Sequence, residues 1–258
     1  MAYTTSVDQI EYWNGPGGER WVKEQTHLDE SLAAITELLF DFASPQVGER
    51  VLDVGCGCGT TTLRLRTFGC DVTGIDISAP MLAVARARGA RVIEGDAARA
   101  PGSYDLIFSR FGIMFFADPA AAFAHLRGIT RRFAFVCWRG FEDNPWASEP
   151  VAAARDLLPP SPPQDPDAPG PFAYARKERL EQILPGAQLT AADSTMYMGA
   201  TIDEAVADGL SIGPLARAAQ DVDEPTRAKI RERLRAVYAK YATPTGIQVP
   251  ARVWLVRA

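Results

Sequence analysis

The fold is decided by one stretch of the chain, Val51-Leu52-Asp53-Val54-Gly55-Cys56-Gly57-Cys58-Gly59-Thr60. Its apolar start, Arg50–Val54, predicts a short buried strand, and Thr60–Phe68 carries apolar residues at helical spacing. Glycines between a strand and a helix let the backbone approach a ligand without a Cβ clash, and the helix N-terminus offers unpaired N–H groups. The stretch therefore predicts a loop that binds a nucleoside.

Downstream of this loop, strands alternate with helices. Further strands are predicted at Asp71–Ile75, Arg91–Glu94, Tyr104–Ser109 and Phe133–Trp138, and helices at Met81–Arg88 and Ala120–Arg127. This alternation is typical of a parallel sheet covered by helices on both faces. We expect an α/β, Rossmann-like, doubly wound and mostly parallel sheet.

In the segments on either side of this core, strands and helices no longer alternate regularly. Upstream, Tyr12–Gly18 predicts turns. One helix, with a capping signal at Thr26 and Asp29, is expected to follow and to end near Ser44-Pro45. Downstream, Pro159–Pro171 contains seven prolines and predicts a stiff extended connector. The remaining elements are predicted at Arg176–Leu184, Gln188–Met196, Thr201–Asp208, Pro225–Tyr241 and Val249–Val256, of which the second and the last are strands.

These boundaries suggest four regions along the 258 residues. Residues 1–45 form an N-terminal helical cap and 46–140 the nucleoside-binding core. Residues 141–186 form a proline-rich linker and insertion, and 187–258 supply the remaining core strands with a helical lid. A helical insertion thus precedes the last strands.

Composition and charge exclude several classes of partner. The net charge of −5 argues against nucleic acid, which is bound through clustered Lys and Arg. The N-terminus lacks a basic start and an apolar run, and no apolar stretch reaches the roughly 20 residues that span a bilayer. We expect a cytoplasmic monomer or homodimer that does not bind membranes. The four cysteines, Cys56, Cys58, Cys70 and Cys137, lack a second Cys or His pair at ligand spacing, so we expect neither a metal nor a disulfide.

Three features narrow the class of ligand. The dinucleotide fingerprint needs a small residue at position 60, where this chain has Thr60, and its third glycine is Gly59. Asp53, two residues before the first glycine, would repel a pyrophosphate and favours a cation. Asp76 follows Gly57 by 19 residues, where a carboxylate can accept from both ribose hydroxyls. The pattern favours a cationic nucleoside over a nicotinamide dinucleotide.

Four motifs, in order, resemble those of the class I S-adenosylmethionine (SAM)-dependent methyltransferases. They are VLDVGCGCG at 51–59, GIDIS at 74–78, EGDAA at 94–98 and YDLIFSRFGIMFF at 104–116. The resemblance covers about residues 47–140 and is to the small-molecule group that includes the ubiquinone-biosynthesis type. It implies SAM as cofactor, S-adenosylhomocysteine (SAH) as product, no metal, and methyl transfer to an O, N, S or C nucleophile of a small molecule.

The resemblance also assigns the cofactor's methionine and ribose. Gly55, Cys56 and Gly57 would lie under the methionine part of SAM, and Asp53 would favour its positive charge. Asp76 would hold the ribose, with Ile77 beside the adenine. The alternative for Asp76 is a cap on the helix that follows it.

The remaining cofactor residues lie after the third and fourth strands. Asp96 and Ala97 would border the adenine, although Asp96 alternatively only caps a turn. Ser109, Arg110 and Phe111 would stand where cofactor and substrate meet. For Arg110 the alternative is a simple ion pair with an acidic neighbour.

An enclosed aromatic pocket suits the alignment of a methyl acceptor and the exclusion of water. The candidates for its walls are Tyr12, Trp13, Trp21, Met114 and Phe115, with core packing as the alternative. Of the two histidines, His125 fits a surface position, and His27 is the candidate general base. An acceptor such as a thiolate or enolate needs no base.

Other functions compete with methyl transfer. A SAM-binding protein without transfer activity shares every cofactor motif. A nicotinamide-dependent oxidoreductase is disfavoured by Asp53 and by the glycine spacing. The fourth strand continues as Ser109-Arg110-Phe111-Gly112 instead of Asn/Asp-Pro-Pro-Tyr, which disfavours an adenine or glutamine amide nitrogen as the target.

Overall fold

A computed structural model of the chain describes residues 6–160 and 165–258, and the strands within them form one mixed sheet. The strands are β1 Arg50–Val54, β2 Asp71–Asp76, β3 Val92–Glu94, β4 Tyr104–Arg110, β5 Thr130–Trp138, β6 Gln188–Gly199, β7 Ala242–Thr243 and β8 Gly246–Arg257. Their order is β3-β2-β1-β4-β5-β8-β6, and the short β7 pairs with β8. Strands β1 to β5 are parallel, whereas β8 is antiparallel to both of its main neighbours.

Helices precede the sheet, connect its parallel strands and fill the region after β5. They are α1 Ser6–Asn14, α2 Pro16–Lys23, α3 Gln25–Ser31, α4 Ala33–Ala43, α5 Thr60–Thr67, α6 Ala79–Ala87, α7 Pro119–Ile129, α8 Pro145–Ala154, α9 Lys177–Ile183, α10 Ile202–Gly209, α11 Pro214–Ala218 and α12 Glu224–Ala239. None of these helices is both long and apolar enough to cross a membrane.

The sheet places the functional loops at one edge. The chain order reverses between β1 and β4, so the loops that follow these strands diverge and leave a crevice at their carboxyl ends. Local sequence fixes the helices that begin there. Ser78 Oγ accepts the Met81 N–H at the start of α6, and Asp118 Oδ1 accepts the Ala121 N–H at 3.0 Å at the start of α7.

The mostly parallel sheet confirms the predicted fold class, because the hydrophobic strands and helices alternate as expected. Two local predictions are wrong. The stretch Tyr12–Gly18 is helical on both sides of Gly15, since Pro16 can occupy the first turn of a helix, where its missing N–H would have no partner. The single helix predicted to end near Ser44-Pro45 is divided at Leu32 into α3 and α4, and no side chain of the described residues caps either one. Its predicted end agrees with that of α4 at Ala43.

The region after β5 contains a helix that the sequence did not predict. Helix α8 occupies a stretch for which no element was predicted. In the proline-rich connector, Pro162 and Pro163 lie outside the described residues.

Candidate functional site

A cavity of about 1230 Å³ lies along the carboxyl ends of β1, β2 and β4. Small-molecule sites in proteins usually measure roughly 300–1,000 Å³, so this cavity has room for two ligands side by side. The glycine loop and helices α1 to α3 contribute to its walls. The connector after α8 contributes Pro159 and Pro160, and α11 contributes Pro214.

The glycine loop leaves an open surface on the cavity. Gly57 has a φ of 52°, and its N–H donates to Asp76 Oδ2 at 2.8 Å. A Cβ atom at this position would meet only Met81 Sδ at 3.7 Å and Trp21 Nε1 at 3.9 Å. The backbone of Gly57 is therefore available to a ligand that lies beneath Trp21.

Asp76 is fixed at the end of β2. Its side chain is 8% exposed and lines the cavity, and its Oδ1 accepts the Ser78 N–H at 2.9 Å. Burial raises the pKa of this carboxyl group, and the backbone N–H groups of Ser78 and Gly57 oppose that shift. Ser78 caps helix α6, so Asp76 does not. Each oxygen keeps a second lone pair that can accept a hydrogen bond from a ligand.

Asp53 lies fully buried beneath the glycine loop and is not among the described residues that line the cavity. Its Oδ2 accepts hydrogen bonds from Thr61 Oγ1 at 2.7 Å and Thr62 Oγ1 at 2.6 Å. Its Oδ1 has no hydrogen-bond partner within the described part of the chain. Burial raises the pKa of Asp53 to about 6. A buried carboxylate oxygen without a donor is costly, and a positive ligand above it would reduce that cost.

The predicted residues after β3 and β4 have different surroundings. Asp96 lines the cavity, and its Oδ1 also accepts the Ala98 N–H at 2.9 Å, which caps a 3₁₀ turn. Ile77 and Ala97 line the cavity as well. Ser109 does not: it is fully buried, and its Oγ donates to the Val54 carbonyl at 2.8 Å. Ser109 therefore joins β4 to β1.

Arg110, at the end of β4, lines the cavity and also has an acidic neighbour. Its Nη2 lies 3.4 Å from Asp29 Oδ1, and its Nη1 donates to Thr36 Oγ1 at 3.0 Å. Burial lowers the pKa of Arg110, and the nearby Asp29 and Asp53 carboxylates oppose that shift. The side chain thus brings a positive charge to the wall while it is tied to α3 and α4.

Phe111 adopts a left-handed conformation, with φ 66° and ψ −6°. For a bulky residue such a conformation costs about 1–3 kcal/mol, so the surrounding structure must hold it. The following Gly112 presses against the glycine loop, because a Cβ atom on it would lie 2.6 Å from Gly55 Cα. The turn at Phe111 therefore brings the β4 loop into direct contact with the β1 loop.

The C-terminal end of helix α1 is hydrogen-bonded to the segment that follows β2. Asn14 Nδ2 donates to the Ile77 carbonyl at 2.8 Å, and Asn14 Oδ1 accepts the Ala79 N–H at 2.9 Å. Ser78 Oγ donates to the Trp13 carbonyl at 2.6 Å. We call these three contacts the clasp. Sequence reasoning missed Asn14 and Ser78, because nothing local indicates a partner more than sixty residues away.

Helix α3 is fastened to the glycine loop in a similar way. Asp29 Oδ2 accepts hydrogen bonds from Thr60 Oγ1 at 2.7 Å and from Gln25 Nε2 at 2.6 Å. Arg88 Nη1 donates to the Cys58 carbonyl and to Thr60 Oγ1, both at 2.9 Å. The N-terminal helices thus cover the loop that is predicted to bind a nucleoside.

The five side chains predicted to form an acceptor pocket, Tyr12, Trp13, Trp21, Met114 and Phe115, all line the cavity. Trp13 lies at the centre of the aromatic members. Its ring centroid is 5.1 Å from that of Tyr12, 6.1 Å from that of Trp21 and 5.3 Å from that of Phe115. The N-terminal helices and the β4 loop therefore meet through edge-to-face aromatic contacts.

His27, the candidate base, is not among the described residues that line the cavity. Its Nε2 lies 2.6 Å from Asp208 Oδ1, so it joins α3 to α10. The hydrogen bond with Asp208 raises the pKa of His27, against the opposing effect of burial. His125 is also absent from the described lining, and its Nε2 lies 2.9 Å from the Ala100 carbonyl oxygen.

Fold and site together define a Rossmann-like domain with a large cavity at the carboxyl ends of its parallel strands. Residues 52–136 match a family described as "Methyltransferase domain". The chain is 32% identical over 112 residues to a demethylmenaquinone methyltransferase of Beutenbergia cavernae, covering 42% of this chain and 47% of the relative. It is 32% identical over 108 residues to a ubiquinone biosynthesis O-methyltransferase of Bordetella parapertussis, covering 38% and 45%. The chain thus spans about half the length of these relatives. It contains a methyltransferase domain of the kind that the four motifs predicted.

Two solved structures have folds similar to that of this chain. The magnesium protoporphyrin IX methyltransferase of Synechocystis PCC 6803 with bound SAH has a TM-score of 0.54 at 17% identity, covering 74% of this chain and 93% of that one. The YcgJ protein of Bacillus subtilis has a TM-score of 0.53 at 20% identity, covering 86% and 96%. At these identities the likeness concerns the fold alone.

Proposed function

We propose that this protein is a SAM-dependent methyltransferase that moves a methyl group to an O, N, S or C nucleophile of a small molecule. The observation that carries the proposal is the pair of buried carboxylates, Asp53 and Asp76, at an open glycine loop. Both suit a nucleoside that bears positive charge. The names of the relatives and the SAH bound to the Synechocystis protein point the same way.

The residues present fit SAM. Asp53, whose buried Oδ1 has no hydrogen-bond partner among the described residues, would attract the positively charged methionine part from beneath the loop. The open backbone of Gly55 to Gly57 would carry that part of the ligand, and Asp76 would accept from the ribose hydroxyls. Ile77, Asp96 and Ala97 would border the adenine. When bound, SAM supplies a methyl group that is already activated by its positively charged sulfur.

The protein's own contribution would be alignment and the exclusion of water. The clasp and the contacts of Asp29 hold the N-terminal helices over the loop, and the contact between Gly112 and Gly55 brings the acceptor side against it. The place of His27, paired with Asp208 away from the lining, does not support the role of general base. We propose an acceptor that loses its proton to solvent.

Thermal unfolding and calorimetry with SAM, SAH and NAD test the cofactor. We expect SAM and SAH to raise the melting temperature and to bind with one-to-one stoichiometry, and NAD to do neither. Stabilisation by NAD alone would overturn the proposal. Mass spectrometry of a panel of phenols, thiols, amines and enols with SAM then tests transfer. Tight SAH binding without any methylated product would favour a SAM-binding protein without transfer activity.

A further inference from the structure

A second, much smaller pocket lies next to the main cavity, at the carboxyl end of β6. Its volume is about 30 Å³. One water needs at least roughly 10–15 Å³, so the pocket has room for about two water-sized groups. Five residues line both the pocket and the cavity: Leu28, Trp146, Met196, Ile212 and Pro214. The pocket is therefore a side compartment of the cavity.

Two polar side chains line this pocket among mostly apolar ones. Ser31, the last residue of α3, is 2% exposed, and its Oγ has no hydrogen-bond partner among the described residues. Asp208 belongs to α10, and its Oδ1 lies 2.6 Å from His27 Nε2. Within residues 6–160 and 165–258, no other hydrogen bond of this carboxylate is found. A buried hydroxyl oxygen and a carboxylate oxygen can thus both accept from a ligand.

The electrostatics of the pocket favour a positive charge. Asp208 is the one charged residue in its described lining, and helix α10 ends beside it at Gly209. The C-terminal end of a helix carries roughly half a negative charge, because its last carbonyl groups have no partner within the helix. Burial raises the pKa of Asp208, against the opposing effect of His27. A cation in the pocket would therefore stabilise the ionised carboxylate.

The pocket is remote from the glycine loop. In the sheet, strands β4, β5 and β8 lie between β1 and β6. At about 4.8 Å per strand, β6 lies roughly 19 Å from β1 and roughly 14 Å from β4. The glycine loop contributes no residue to the described lining of the pocket. A group bound in the pocket would therefore belong to the methyl acceptor and not to the methionine part of SAM.

We propose that this pocket binds a primary ammonium group of the methyl acceptor, and that Asp208 and Ser31 accept hydrogen bonds from it. This inference rests on the proposed function. It identifies the acceptor as an elongated primary amine whose ammonium group lies at the end remote from the methylated atom. A hydroxyl group would offer one donor and no charge. A trimethylated ammonium group would have no N–H to donate and would not fit.

Calorimetry on the full chain at saturating SAH compares three probes of the same chain length, which are hexylamine, 1-hexanol and hexyltrimethylammonium. At pH 7.5 hexylamine carries a positive charge. We expect hexylamine to bind at least about tenfold more tightly than either of the other two, because hydrogen bonds between charged groups are the strongest kind.

Asp208→Asn should reduce the preference for hexylamine over 1-hexanol to below about threefold, because the amide carries no charge. Ser31→Ala should weaken hexylamine binding by about threefold to tenfold, the usual cost of one hydrogen bond. Asp203→Asn is the matched control. It removes the same charge from the same helix, at a side chain that is 75% exposed and pairs with Arg235. It should leave all three affinities unchanged.

Equal binding of hexylamine and 1-hexanol to a wild-type protein that still binds SAH would overturn this proposal alone. Equal binding of the two ammonium compounds would overturn it as well, because the attraction would then come from the open cavity. Failure of the wild-type protein to bind SAH would overturn the proposed function instead. If Asp208→Asn does not fold, the wild-type comparison and Ser31→Ala still decide.

Discussion

At the scale of single residues, Asp53 shows how burial sets the chemistry of the site. Its carboxyl group is shielded from water, which raises its pKa to about 6 against the opposing hydrogen bonds from Thr61 and Thr62. Because the pKa in the folded state lies above that of an exposed aspartate, the stability gained from protonation is present at low pH. It is lost as the pH rises through about 6. A cation bound above the loop offsets that loss.

SAM affinity should therefore depend on pH through Asp53. We expect it to increase from pH 5 to pH 7, by at most about tenfold per pH unit, and to level off above the pKa. Calorimetry across this range measures the slope. Asp53→Asn is the control, because an asparagine can still accept from the two threonines but does not ionise. An equal slope in this variant would show that another group titrates.

A substitution of Asp76 tests the proposed contact with the ribose of SAM. Asp76→Ala should weaken SAM and SAH binding by about ten- to a hundredfold, since hydrogen bonds to a charged group are worth about 1.5–3 kcal/mol. It also removes the acceptor of the Gly57 N–H. Calorimetry measures the loss, and circular dichroism should show an intact fold. An unchanged affinity would contradict the proposed ribose contact.

At the scale of secondary-structure elements, a few contacts hold the N-terminal helices over the glycine loop. The clasp places Asn14 of α1 against the Ile77 carbonyl and the Ala79 N–H. Any ligand beneath Trp21 would leave more easily if these helices were loosened. The N-terminal cap is thus proposed to control cofactor exchange, which is a step that often limits turnover.

Asn14→Ala should accordingly speed SAH dissociation by about threefold to tenfold, because it removes both hydrogen bonds of Asn14 to the segment after β2. Global stability should change little, because Asn14 is exposed and its third hydrogen bond, to the Ile10 carbonyl, lies within its own helix. Stopped-flow tryptophan fluorescence gives the rate. Gln46→Ala, which removes an exposed amide with only a local contact to the Ser44 carbonyl, is the matched control. Equal rates in the two variants would show that the clasp does not restrain the ligand.

At the scale of the whole molecule, the pair of His27 and Asp208 joins the N-terminal helices to the helices after β6. The hydrogen bond with Asp208 raises the pKa of His27 above its ordinary value. The stabilisation is therefore complete below about 6.5, the unperturbed pKa of histidine, and decreases as the pH rises through the raised value.

His27→Gln should lower the free energy of unfolding by about 1 kcal/mol at pH 6 and by less at pH 8.5, the size usual for a partly exposed ion pair. Thermal or urea unfolding at the two pH values measures the difference. Methyl transfer at neutral pH should change less than threefold. A loss of more than a hundredfold in kcat with normal SAH binding would restore His27 as the general base.

The sequence by itself determined the parallel core, because hydrophobic periodicity and the strand-glycine-helix pattern are local properties. It also placed Asp76, Asp96 and the glycine loop at one edge of the sheet, since the carboxyl ends of parallel strands meet there. Only the tertiary structure decided that Asp53 and Ser109 lie beneath the cavity, that His27 contacts Asp208, and that Asn14 contacts the Ile77 carbonyl and the Ala79 N–H. It also brought together the rings of Phe111, Trp138, Trp146 and Phe172, which lie after β4, in β5, in α8 and after the connector. These are contacts between residues far apart in the chain, and their geometry depends on how whole elements pack.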